Sequence, residues 1–367
     1  MISKRHSGID LLRILSMLMI VTLHCIVHGK LSSVVLAEQP GDAIIWLIRG
    51  ICTPAVNLYA LISGYVCSNT KHRWERLAEL WVQVWLTSVL AGLVFFLLHG
   101  ISLKELIMCF FPVLTNRYWY FSAYVLLAVA MPFLLHISST MPKIAYRNTL
   151  IALLLFMCLS GCVSSFLGFD AYTLNLGYSF LWLSVMFLIG AYIRNYPEDY
   201  FLNLKKWKYL LCFAVMVIIP LVFRYVAFAL PGSAAESVGL QRILYTYVSP
   251  TVTVASISLF VFFSRLQINS GKLIHAVSTA TFGVYLLHDH FAVRKYIIEG
   301  ICSKLADFPV YLMIPMMLMF ALTVFLICTG MELIRRYLFR FTKMNLLVNK
   351  TVNSIRKILR TERRKKP

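Results

Sequence analysis

Residues 9–28 read IDLLRILSMLMIVTLHCIVH, and this stretch decides the fold. It is long enough to cross a bilayer, which takes about 20 mostly apolar residues. Yet Asp10 and Arg13 stand at one end and His24 lies deep inside. Ionisable groups in lipid are costly and are rarely kept without a task. The spacing from Arg13 to His24 is about three helical turns, which returns both to within about 20° of one face with a rise of about 16 Å. One face therefore carries a cation near one membrane surface and a titratable imidazole in the middle or far half. A polar line of this kind must face protein or water.

Working outward, apolar runs recur along the chain at lengths of about 18 to 25 residues, the signature of bilayer spans rather than core helices. Of the 367 residues, 60% are hydrophobic and only 14% charged, with a mean hydropathy of +0.77. A soluble domain is nearer half apolar and a quarter charged. The class is an all-α polytopic integral membrane protein of about ten transmembrane helices. They are expected near 9–29, 43–66, 77–99, 118–137, 149–168, 178–194, 209–229, 245–264, 278–296 and 309–333. Residues 1–334 then form a multi-span membrane domain and 335–367 a basic cytoplasmic tail. Val35-Leu36-Ala37 has the look of a signal-peptide cleavage site, but the apolar stretch before it contains Arg13 and His24, so the first span is expected to be retained.

The formal net charge of +20 is explained by its location. Alternating the loops from a cytoplasmic N-terminus puts Arg73, Arg76, Lys143, Arg147, Lys205, Lys206, Lys208, Arg265, Lys272 and the tail on the inside, with Lys71. The opposite loops hold Glu38, Asp42, Asp170 and Glu236. This asymmetry predicts cytoplasmic N- and C-termini. No basic face with interleaved aromatics is present, which argues against nucleic acid as a partner. The tail from Lys350 to Lys366 interleaves Val352, Ile355, Ile358 and Leu359 with basic residues, a pattern suited either to an anionic leaflet or to solvent. The nine cysteines include no C-x-x-C, and Cys158 and Cys162 lie one turn apart, a poor disulfide geometry.

Five motifs follow in order. Arg13 and His24 make an R-x10-H; Asn57–Tyr65 (NLYALISGY) contains Ser63-Gly64-Tyr65; Arg73-Trp74-Glu75-Arg76 is an R-x-x-R. Tyr118-Trp119-Tyr120-Phe121 leads to Pro132, and Phe282–His288 reads FGVYLLH. Each is weak alone. The ordered set resembles the membrane-bound acyltransferase 3 family over residues 10 to about 290, with Leu58-Tyr59 where paired Phe is commoner in that family. The resemblance implies transfer of an acyl group, usually acetyl, from cytosolic acyl-CoA to a hydroxyl of a cell-surface polysaccharide or its lipid-linked precursor. It also implies a multi-pass protein of the cell membrane. Some relatives carry a further extracytoplasmic hydrolase-like domain, which the short basic tail does not provide.

Acyl transfer to a hydroxyl needs a base, and His24 is the best-placed one, with His288 second; interhelical hydrogen bonding is the bland alternative for either. Arg13 suits a donor phosphate, or pairing with Asp10 three residues earlier, or the membrane interface. Arg73 and Arg76, one turn apart if helical, suit the phosphates of CoA or simple positive-inside flanking. Ser63 favours helix packing over substrate contact, and Trp119 an interfacial belt over a sugar cleft. Tyr65 and Tyr285 complete the substrate-binding candidates, with Tyr285 and His288 near Asp289 and His290 at the outer mouth. His24 and His28 make a bare H-x-x-x-H, which lacks a recognised ligand set; no metal is expected. A membrane carrier for a lipid-linked sugar, polymer or acyl donor is the competing class, since a polar conduit suits both.

Overall fold

A computed structural model describes residues 6–31, 40–68, 70, 73–170, 172–199, 202–229, 243–268 and 271–341. The described residues contain helices and no strand. Helix α1 (Ser7–Val27) is the hub. After it come α2 (Pro40–Cys52) and α3 (Ala55–Cys67), then α4 (Trp74–His99) and the short α5 (Leu103–Cys109). Next are α6 (Trp119–Thr140), α7 (Lys143–Leu167), α8 (Phe180–Asn195) and α9 (Lys206–Ala229). The last set is α10 (Pro250–Ser264), α11 (Lys272–His288), a π-helical turn (Val293–Glu299), α12 (Gly300–Leu305) and α13 (Val310–Phe341).

Eight stretches are long and apolar enough to cross a membrane. Two of the ten expected spans, 178–194 and 278–296, fall on shorter helices that do not reach that length: α8, of 16 residues, and α11, of 17, which ends at His288. The span expected at 43–66 is two helices broken at Thr53-Pro54, because Pro54 has no N–H to continue the ladder. Helix α13 runs through residue 334, so Arg335, Arg336 and Arg340 are helical rather than part of a loose tail. The tail beyond residue 341, with its apolar-basic pattern, lies outside the described residues, as do Glu38, Lys71 and Glu236.

Helices α1, α3, α8, α10 and α11 form the inner layer, and α7, α9 and α13 turn large apolar side chains such as Leu155, Leu159, Val222 and Leu326 outward. Helices in lipid are expected to be apolar on their outer faces. The tightest crossing in the inner layer joins α3 and α8. A Cβ built on Gly64 would sit 1.8 Å from the Phe187 carbonyl oxygen, and one on Gly190 would sit 2.0 Å from that of Leu61. Only residues without a side chain allow this backbone approach.

Cross-links sort the loops by end. Lys143 and Arg147 pair with Asp199 at 3.7 Å, and Arg265 donates to Asn203 at 2.7 Å. Gly8 packs on the Phe263 carbonyl at the same end. At the other end Lys30 pairs with Glu299, and Arg224 with Asp42 at 3.1 Å, both members of that second pair buried.

Candidate active site

Arg13, Met17, Ile20 and His24 recur at helical spacing along α1 and form one wall of a cavity of ≈ 750 Å³. Tyr59 and Ser63 of α3, Arg76 and Gln83 of α4, and Trp119, Tyr120 and Tyr124 of α6 supply further walls. Tyr285 and His275 of α11 and Arg335, Arg336 and Arg340 of α13 complete it. The cavity thus joins an arginine-rich end to a histidine end.

At the histidine end the hydrogen bonds settle the tautomers. Nδ1 of His288 lies 2.7 Å from the Val284 carbonyl, which can only accept, so Nδ1 carries the proton. Nε2 of a neutral His288 is then an acceptor, and it lies 3.1 Å from Nδ1 of His24. His24 therefore donates from Nδ1, leaving Nε2 as the ring's lone pair. Asp289 Oδ1 stands 3.4 Å from the same Nδ1. Arg294, on the π-helical turn, pairs with that oxygen at 3.4 Å. The ring of His28 lies 4.7 Å from that of His24, and one ligand atom each from His24, His28 and Asp289 fall within 4.8 Å of one another. His290 belongs elsewhere: it is buried beside Phe95 and Cys109.

At the arginine end Asp10 is buried, accepts from Ser278 at 2.8 Å and stands 3.7 Å from Arg13. Tyr59 donates to the Arg13 carbonyl at 2.9 Å, tying α3 to α1. Arg76 pairs with Glu79 at 3.3 Å. Glu332, almost fully buried, accepts two 2.7 Å bonds from Arg335 and one from Arg336. Gln83 also donates to it, at 3.2 Å. Arg336 in turn donates to Thr279, through both its hydroxyl and its carbonyl. The glycine of the FGVYLLH motif makes room for this carboxylate, because a Cβ on Gly283 would lie 2.3 Å from the Glu332 carboxyl group.

The remaining sequence candidates divide. Trp119 lines the cavity and stacks against Tyr247 at 6.1 Å. Ser63 lines it too, but its hydroxyl donates back to the Tyr59 carbonyl at 2.8 Å. Tyr285 lines it beside Tyr118 and Tyr120; Tyr118 donates to the Leu286 carbonyl at 3.0 Å, and the buried Tyr120 hydroxyl has no hydrogen-bond partner among the described residues. Arg73, exposed at the start of α4, is not in the lining, and neither is Tyr65, whose hydroxyl accepts from Arg194 at 3.1 Å. Asp10 and His288 stand behind the lining. Sequence reasoning passed over Glu332, Arg335, Arg336, Arg340 and Arg294. Glu332 was visible as a carboxylate inside an apolar run, and such a residue marks a functional or paired position.

Comparison with known proteins gives one match. The sequence model of the acyltransferase 3 family, described as an acyltransferase domain, matches residues 6–333. No curated protein and no solved structure matches the chain.

Proposed function

Because the chain belongs to the acyltransferase 3 family, we propose that it moves an acyl group, acetyl foremost, from cytosolic acyl-CoA to a sugar hydroxyl. The acceptor is a cell-surface polysaccharide or its lipid-linked precursor, and the membrane is the cell membrane. The observation that carries this reading is one continuous cavity with arginines at one end and His24 at the other. The rise of about 16 Å between Arg13 and His24 is comparable to an extended pantetheine arm. A phosphate-rich donor held at the arginine end can thus present its thioester to the imidazole.

Arg76, Arg335, Arg336 and Arg340 hold the donor phosphates on the cytosolic side. Guanidinium groups suit phosphate through paired, charge-assisted hydrogen bonds. Glu332 keeps Arg335 and Arg336 in place before the ligand arrives. The acceptor hydroxyl approaches from the histidine end, among Trp119, Tyr120 and Tyr285. His24 Nε2 takes its proton as the oxygen bonds to the thioester carbonyl carbon. The carbon–sulfur bond then breaks, and the CoA sulfur leaves with the proton returned by the imidazolium. His288 Nε2 accepts from Nδ1 throughout, and the Asp289 carboxylate 3.4 Å away offsets the imidazolium charge.

The test is ester content of the host's surface polysaccharide. Deleting the gene removes O-acyl esters, wild type restores them, and a well-expressed His24→Gln protein does not. Gln keeps hydrogen-bonding capacity but takes up no proton at neutral pH, so turnover falls by about 10²- to 10⁴-fold. Unchanged esters after deletion would refute the function. Near-normal esters with His24→Gln would move the base role to another residue.

A further inference from the structure

We infer that His24, His28 and Asp289 form a transition-metal site of the kind that takes Zn²⁺, and that an ion bound there silences His24 as a base. The first half stands on geometry alone; the second rests on the base assignment above.

His24 on α1 and His28 at its C-cap lie one turn apart, with ring centroids 4.7 Å apart. Two histidines at this spacing on a helix are a recurrent zinc-binding pair. A third ligand is needed from another element, and Asp289 follows directly on the last residue of α11. Its carboxylate is 1% exposed, and buried carboxylates are held by a paired charge or a metal; Arg294 stands 3.4 Å from Oδ1 and leaves the His24 side of the carboxylate to a ligand.

The separations fit a tetrahedron. Zinc bonds of about 2.0–2.1 Å to nitrogen and oxygen place neighbouring ligand atoms about 3.3 Å apart. Nδ1 of His24 and Oδ1 of Asp289 are already 3.4 Å apart. All three ligand atoms fall within 4.8 Å of one another, so His28 has to close by at most about 1.5 Å. It is the half-buried C-cap residue of α1, one position past Val27. Two imidazoles and one carboxylate select zinc or copper over magnesium or calcium, which prefer all-oxygen shells. Arg294 pairs with Asp289 from its own turn and acts as an outer partner of the ligand. Three protein ligands leave a fourth position for water.

The chemical consequence follows from the tautomer. An ion on Nδ1 of His24 displaces the proton shared with His288, and a neutral ring bound through Nδ1 carries its proton on Nε2. The lone pair that would accept the acceptor's proton is gone. No oxidation state changes.

Binding is measured on the detergent-solubilised full-length protein by equilibrium dialysis with ZnCl₂, and by the visible absorption of Co²⁺. Wild type is expected to bind one tight equivalent and to give the intense spectrum of tetrahedral Co²⁺. His28→Gln and Asp289→Asn should each weaken binding by about 10- to 100-fold or more, the range that loss of even an outer partner costs. Thermal unfolding of each variant checks that it is folded. Unchanged zinc affinity in a folded His28→Gln protein, or an octahedral Co²⁺ spectrum, overturns the site. In liposomes, zinc should suppress wild-type acyl transfer, a chelator should restore it, and His28→Gln should resist suppression relative to its own zinc-free rate. Tight, His28-dependent binding without suppression overturns the silencing. A metal-free wild type with no acyl transfer at all refutes the proposed function, while the dialysis result still judges the site.

Discussion

Replacing Gly64 by Ala adds one methyl group where α3 crosses α8, 1.8 Å from the Phe187 carbonyl oxygen. A carbon–oxygen contact normally lies at about 3.3 Å or more, so the two backbones must part by about 1.5 Å. Neither neighbour is a side chain that can swing aside. Overpacking of this kind costs about 1–3 kcal/mol, and occasionally more. The shift also reaches the cavity, because α3 carries Tyr59, which donates to the Arg13 carbonyl at 2.9 Å. A displacement of about 1 Å in a positioned group can cost about 10²-fold in rate. Gly64→Ala should therefore lower both melting temperature in detergent and turnover, whereas Ser63→Ala, which loses one bond back to its own helix, should do little. Gly190→Ala meets Leu61 at 2.0 Å across the same crossing and should behave alike. The double variant should lose less than the sum, because helices already parted by one methyl accommodate the second. A Gly64→Ala protein that melts with wild type, or strictly additive losses, would refute the backbone-contact account.

Two further outcomes are expected. Arg335→Ala and Arg76→Ala should each weaken acyl-CoA binding by about tenfold, the scale of one charged hydrogen bond, with the loss shrinking as salt rises; Arg73→Ala should change it little. Titration calorimetry at two ionic strengths checks this, and equal losses in all three variants would return the arginines to a purely topological role. In an otherwise Cys-free variant, a single cysteine at position 72 should be labelled by an impermeant reagent only after cells are opened, and one at position 170 in intact cells. Labelling of position 72 from outside would invert the orientation.

The polar stripe on α1 is legible because it is local. A repeat of 3.6 residues fixes which side chains share a face, so Arg13, Met17, Ile20 and His24 line up from their numbering alone. Span existence is legible for the same reason, since length and hydropathy are properties of a window. What the string conceals is partnership across the bundle. Glu332 and Gly283 are far apart in sequence, and nothing near either residue announces that one vacates space for the other. Arg335 and Arg336 read as the start of a basic tail because positive charge after a last span is commonplace; only the continuation of α13 to Phe341 brings them to the cavity. Tyr65 shows the limit of proximity in sequence. It adjoins the Ser-Gly pair in sequence, yet its side chain bonds Arg194 on a different helix, outside the lining. The break at Pro54 was readable from the proline, but a window average smooths over one residue.

The arginine end also bears on turnover in a living cell. Five arginines, Arg13, Arg76, Arg335, Arg336 and Arg340, stand with three carboxylates, Asp10, Glu79 and Glu332. In the proposed reaction, everything they would grip on a CoA donor is equally present on the spent carrier, since the phosphates are unaltered by acyl transfer. This anchorage cannot tell charged from discharged cofactor. Discrimination must come from the short acyl group near His24, which offers little contact area. Free CoA should thus compete directly with the donor, and the ratio of acylated to free CoA, rather than the donor concentration alone, should set the rate of the proposed transfer.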